Sequence, residues 1–318
     1  MESSKIGVID CLTAGFFAVY RKPVILIVPI IIDLLLCFVP RVSPQPIINN
    51  LIASVGSEEI QTESSAADSG SRLSTSVAPQ ELLTLEDLDA LGAANLAGIL
   101  GTQVQSYLAF PSSKGIDQRT INVESWQGTI LSLLLFIFGS VAIGTIYLEM
   151  LAQHIKTGTP WPIRGNRVVT QTARLFGYIA IITAIYGAIA IACLSLITIA
   201  YPLLPVIVLL GVIAAFTSLV YFFVGEAALF LEDIQPIQAL KSSILFAKSH
   251  FLPLIGFVVL TTIIGLALQI ALGKLASYPL GLPPAIILNA CVMTALTIAV
   301  MKYYWHHTKE GGGSQPQP

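Results

Sequence analysis

Charge is what this chain has least of. Only 11% of its 318 residues are Asp, Glu, Lys or Arg, where a soluble domain carries roughly 25%. That scarcity excludes an ordinary water-soluble domain. The 16 basic and 18 acidic residues leave a net charge of -2, and no Lys/Arg run occurs, so no nucleic-acid partner is expected. Cysteine is also sparse: Cys11, Cys37, Cys193 and Cys291 lie in or beside hydrophobic segments, without a CxxC pair, so no disulfide framework is implied. Catalytic signatures are missing as well. There is no Gly-x-Ser-x-Gly, no His-Glu-x-x-His, no phosphate-binding loop and no dinucleotide fingerprint, so no enzymatic activity and no cofactor are expected. His154, His250, His306 and His307 lack metal-ligand spacing, and no metal is expected.

What is abundant is apolar. With 55% hydrophobic residues and a mean hydropathy of +0.81, the chain reads as an all-α integral membrane protein with the lipid bilayer as its first partner. Six hydrophobic stretches are long enough to cross a bilayer: 23–39, 128–151, 175–200, 206–231, 251–273 and 284–304. The first lacks a small-x-small cleavage site and is expected to stay as an anchor. The segment 232–273 sets the pattern. Ile237, Leu240, Ile244 and Phe251 recur at helical spacing, with Lys241, Ser242, Lys248 and Ser249 opposite, which predicts an amphipathic surface helix feeding a span. The same design is expected at residues 6–39 and 166–200, giving three hairpins of six transmembrane helices, each hairpin preceded by a cytoplasmic amphipathic surface helix.

The expected domains are 1–40, a surface helix and first span; 41–125, an extracytoplasmic inserted module; 126–305, five further spans; and 306–318, a disordered tail. Within the module, residues 61–80 read as a Ser-rich linker, and Thr84-Leu-Glu-Asp87 reads as a capping box that opens a helix packed on the membrane surface or on the bundle's outer mouth. Spans three and five start about 76 residues apart and spans one and three about twice that, which is the spacing a repeat with one insertion would leave. Eleven of the 16 Lys and Arg residues fall on the side of the N-terminus, so both termini are expected in the cytoplasm of a cell whose plasma membrane the chain crosses.

Asp33 is the one acid deep in a hydrophobic segment, about 15 Å along the helix from Pro23. Burying an acid at that depth costs about 2.5–3.5 kcal/mol, which marks it as an intramembrane polar candidate. Its plainer role is a hydrogen-bonded carboxyl tying span one to a neighbour. Glu149, Glu226 and Lys302 sit near the same ends of spans two, four and six, where packing around a common axis would gather them into a charge cluster; the alternative is three separate interfacial side chains. Arg21, Lys22, Arg167, Arg174, Lys241 and Lys248 are the expected lipid-interface cations. Ser140-x-x-x-Gly144, with Gly139, Gly187 and Gly265, reads as helix-packing surface.

Two stretches carry a resemblance. Phe222-Phe-Val-Gly-Glu226, then Gln238-Ala-Leu-Lys241-Ser242 and Phe246-Ala-Lys-Ser-His250-Phe before a hydrophobic run, resemble bacterial polytopic proteins of the YciC-like group and the membrane domain attached to some glycerophosphodiester phosphodiesterases. Gly15-Phe-Phe-Ala-Val-Tyr-Arg-Lys-Pro with the Asp33-Leu-Leu-Leu run is similar to further bacterial membrane proteins. The resemblance spans about 40 residues by inspection. The soluble phosphodiesterase domain is absent, so the resemblance implies a membrane component and no catalysis. The expected function is a non-catalytic scaffold or accessory subunit contacting lipids and other membrane or envelope proteins. A small transporter or channel-like protein working through Asp33 is the alternative.

Overall fold

The computed structural model describes residues 7–39, 41–43, 46, 99, 102–104, 120–123, 125–160, 165–199, 203–278 and 280–311. The Ser-rich linker and the capping-box helix of the inserted module lie outside the described residues.

The described chain is all-α apart from one small strand pair. Helix α1 (Val8–Arg21) opens with the Asp10 carboxylate accepting from the Gly7 N–H at 3.0 Å. Pro23 then ends it, and a 3-10 turn (Pro23–Leu26) leads into α2 (Ile27–Phe38), as expected where a proline can only begin a helix. Strands β1 (Arg41–Ser43) and β2 (Thr120–Asn122) pair in parallel, Val42 opposite Ile121. They bring residues 41–43 beside residues 120–122, near the two ends of the expected inserted segment.

Helix α3 (Trp126–Thr157) is capped by Ser125, whose hydroxyl accepts from the Gly128 N–H at 3.1 Å, and it ends on Gly158 in the left-handed region at φ 74°. Helices α4 (Gly165–Ile199), α5 (Leu204–Phe222), α6 (Gly225–Glu232), α7 (Pro236–Ser249), α8 (Phe251–Ala276) and α9 (Leu282–Gly311) complete the order. Five helical stretches are long and apolar enough to span a membrane: α3, α4, α5 with α6, α8 and α9; the apolar helix Pro23–Phe38 is shorter. The chain is a multi-pass membrane protein.

Three expectations need correction. The surface helix expected at 166–174 is not separate, because it forms the first turns of α4, which runs unbroken from Gly165. No proline interrupts it, whereas Pro23 and the His250 break do interrupt the other two units. Span four is not continuous: Phe223 and Val224 form a turn between α5 and α6. Helix α9 continues through His306 and His307 to Gly311, so the stretch placed in a disordered tail begins as helix. There His307 packs edge-on against Phe246, with ring centroids 6.3 Å apart.

Helix α9 is the most enclosed of the long helices and α4 the least. Tyr147 donates to Thr294 Oγ1 at 3.0 Å and joins α3 to α9 within the core. In lipid, apolar burial between helices gives little driving force, so close backbone packing and such hydrogen bonds must hold the bundle. The buried faces of α1 and α7 fit this. Helix α1 buries Cys11, Gly15, Ala18 and Val19 and exposes Ile9, Phe16, Phe17 and Tyr20. Helix α7 buries Ala239, Ser243, Phe246 and Ala247 and exposes Ile237 and Leu245. On both, small side chains face the bundle and several large apolar ones face outward.

The small-residue face of α3 meets an unexpected neighbour. Thr102 Oγ1 lies 3.2 Å from Ser140 Oγ, and a Cβ on Gly144 would meet Gln103. Gly144 is 18 residues into α3, about 27 Å from its start. Residues 102–104 of the inserted segment therefore reach deep along the span instead of stopping at its outer mouth, and Val104 is buried there. Residues 102–104 form a 3-10 turn, and a short turn at that depth is tolerated when protein encloses it. Gly187 and Gly265 have nothing within 4 Å of an added Cβ and are not packing positions in this structure.

Candidate functional site

One end of the bundle gathers the chain's charge. The end of α3, the start of α4, the α6–α7 link and the ends of α1 and α9 meet there. Arg167 Nε lies 2.8 Å from Glu149 Oε1, an ion-pair contact outside hydrogen-bond angles, and Arg167 Nη2 lies 3.6 Å from Asp233 Oδ2. Arg174 pairs with the Asp233 carboxylate and donates to its carbonyl at 3.0 Å, and Gln171 donates to the carboxylate at 2.6 Å. Asp233 reaches all three because its backbone turns into the left-handed region at φ 58°, ψ 36°. Around this network Lys156 donates to the Phe230 carbonyl at 2.9 Å, and Tyr304 donates to Glu232 Oε1 at 2.5 Å.

The candidates from sequence are thereby dispersed. Glu149 meets Arg167, Lys302 donates to the Ala14 carbonyl at 3.2 Å, and Glu226 faces a cavity on the other side of α6. The three do not form one cluster. Of the expected interface cations, Lys241 and Lys248 are exposed, and Arg21 stacks over the Phe17 ring at 4.4 Å. Lys22 donates to the Gly158 carbonyl at the end of α3, and Arg167 and Arg174 turn into the network. Asp33 is completely buried and is not without an interaction partner. Cys11, on the buried face of α1, has its thiol pushed up to about 11 by burial first and by Asp10 next, with Lys302 opposing.

The second feature is the break in span four. Interrupting a helix inside a membrane strands backbone carbonyls, and each needs a donor. Tyr178 from α4 donates to the Phe222 carbonyl at 3.0 Å, and Ser243 from α7 donates to the Tyr221 carbonyl at 2.6 Å. Gly225 is required beside them, because a Cβ there would overlap the Tyr178 hydroxyl. Replacing Tyr178 with Phe leaves the Phe222 carbonyl without its donor and is expected to lower stability by about 1–3 kcal/mol. SDS titration in mixed micelles measures this, and a loss under about 0.5 kcal/mol would mean that another donor takes over.

Immediately after the break stands Glu226, lining a cavity of about 570 Å³ between α3, α4, α5, α6, α8 and α9. Glu226 is half-buried, and its side chain lines the cavity. Among the described residues, no hydrogen bond or ion pair reaches it. The volume falls within the range of small-ligand pockets.

The sequence points to Glu226 but to neither Tyr178 nor Ser243, which look like ordinary span and surface residues. The available signal was Gly225, a glycine directly before an acid in the middle of an apolar run. Comparison with family models, with curated proteins and with solved structures finds no match for the chain.

Proposed function

We propose that the chain is a non-catalytic component of the plasma membrane, a scaffold or accessory subunit that holds lipids and other membrane or envelope proteins around a fixed helical frame. In this reading the six apolar helices cross as three hairpins, both termini are cytoplasmic, and α1 and α7 lie at the inner interface. The observation that supports it is how the charged end is used. Arg167, Arg174, Lys22, Lys156 and Lys302 are all engaged in tying one chain segment to another. A frame tied at one end suits a part that must keep its shape while partners bind elsewhere.

The test has two stages. Cysteines introduced at Ile121 and at Lys309, both exposed, are expected to react with an impermeant maleimide from opposite faces. Cys11 is a silent background, since a thiol raised from 9 to about 11 carries about a hundredfold less thiolate at neutral pH. Purification from native membranes in mild detergent is then expected to recover a protein partner in stoichiometric amount. Labelling of both positions from one face would sink the topology, and recovery of the chain alone would sink the scaffold. The second reading, a small transporter working through Asp33, draws on the complete burial of that acid. It would take the first one's place if Asp33→Asn abolished a proton-dependent flux in vesicles at unchanged melting.

A further inference from the structure

The cavity beside the span-four break is chemically one-sided. Glu226 supplies a carboxyl with no hydrogen-bond or ion-pair partner among the described residues, and Thr261, Thr262, Gln269 and Thr297 add polar groups along the walls. The threonine hydroxyls have already committed their hydrogens. Thr261 donates to the Phe257 and Val258 carbonyls, Thr262 to Val258 at 2.8 Å, and Thr297 to Met293 at 2.9 Å. The Tyr178 hydroxyl is likewise spent on the Phe222 carbonyl. A hydroxyl that donates into its own helix turns lone pairs towards the open side. What the walls offer a ligand is therefore mainly acceptors, and no Lys, Arg or His among the described residues lines the cavity.

The remaining wall is apolar and aromatic, with Phe222, Phe223, Tyr178 and Tyr186 lining the same cavity as the carboxyl. Aromatic faces in one cavity with such a carboxyl suit a cation with an apolar body, since ring faces and carboxylate both attract positive charge. The route in is also visible. Leu219 on α5 and Leu266 on α8 line the cavity and yet are 44% and 57% exposed. Both lie within apolar spans, so the mouth opens sideways onto acyl chains. Along α4 the site extends from Tyr178 to Tyr186, about 12 Å of helix.

We propose that this cavity binds one lipophilic cation, an amphiphile with a single positive charge that enters from the bilayer and places that charge against Glu226. The site does not depend on whether the chain is a scaffold or a transporter, because binding precedes either use. Glu226 is the counter-ion, the threonine oxygens and aromatic faces complete the acceptor shell, and the break in span four puts the carboxyl in the cavity's wall. Anionic lipid headgroups are disfavoured there by the carboxyl and the absence of a lining cation among the described residues.

The experiment is equilibrium binding of radiolabelled tetraphenylphosphonium to the full chain in phosphatidylcholine nanodiscs, whose zwitterionic surface gives no charge attraction. Saturable binding of one cation per chain is expected. Glu226→Gln is expected to weaken it by about tenfold or more. Leu266→Trp, which narrows the mouth while leaving the carboxyl in place, is expected to weaken it to a similar degree. Uptake no greater than in protein-free nanodiscs would overturn the proposal, as would Glu226→Gln binding within about twofold of the parent. If Glu226→Gln melts early, Leu266→Trp decides: loss of binding supports the site, and unchanged binding overturns it.

Discussion

Arg167→Ala is expected to cost about 3–5 kcal/mol of stability, towards the lower figure because the Arg167 side chain keeps 31% of its surface exposed. Its partner is the reason for so large a loss. The Glu149 side chain is 1% exposed and its Oε2 has no hydrogen bond, so Arg167 is its one ion-pair partner among the described residues. Gln153 then remains as its hydrogen-bond donor, at 3.2 Å. Removing the guanidinium leaves a buried carboxyl nearly alone, and an orphaned buried acid is far costlier than a missing surface pair. Asp233 should hardly notice, since Arg174 and Gln171 still hold it. The double variant Arg167→Ala/Glu149→Leu should recover most of the loss, because both buried partners are then gone. SDS titration of the parent, both singles and the double closes the cycle. A loss below about 1 kcal/mol in Arg167→Ala would mean that water screens the pair as it does at a surface.

That network was only half legible in the sequence. Glu149 and Arg167 were both marked, one for a cluster and one for the lipid interface, but their meeting depends on α3 and α4 running antiparallel side by side. Asp233 was not marked, because an acid after a helix looks like loop polarity until its left-handed backbone is known. The spans themselves were readable, since length and hydropathy are properties of single segments. What the sequence does not tell is which residues let a surface helix approach the bundle. In water the large apolar stripe of a helix points into the core, whereas the sequence lays the Ile237 side of α7 on the membrane, and its exposure on the protein surface does not contradict that. In lipid the rule weakens, because acyl chains solvate isoleucine as well as a core does, and the bundle instead takes the side that allows close approach. Ala239, Ser243 and Ala247 were therefore the informative positions. Similarly, Ser140 and Gly144 correctly marked a close approach, but what approached was residues 102–104 of the insertion, a contact no periodicity predicts.

The same logic makes Gly15→Leu the second large effect expected. Gly15 lies where α1 presses on α9: a Cβ there would overlap the Ala295 carbonyl and come within 3.2 Å of the Ala299 Cβ. The obstruction is helix backbone, which cannot rotate out of the way as a side-chain end can. Even Gly15→Ala must therefore separate the helices, at an overpacking cost of about 1–3 kcal/mol. Leucine adds three more carbons to a gap that does not hold the first, so α1 should lift away. Lifting breaks the Lys302 bond to the Ala14 carbonyl and uncovers Cys11, now 2% exposed. The signature is thus double: a lower unfolding midpoint and a newly reactive cysteine at neutral pH. Gly187→Leu is the control, because nothing lies within 4 Å of a Cβ at Gly187; it should leave both readouts at parent level. If Gly15→Leu kept the parent midpoint and left Cys11 unreactive, α1 would not be clamped to α9, and its exposed Ile9, Phe16 and Tyr20 would have to hold it in the bilayer unaided.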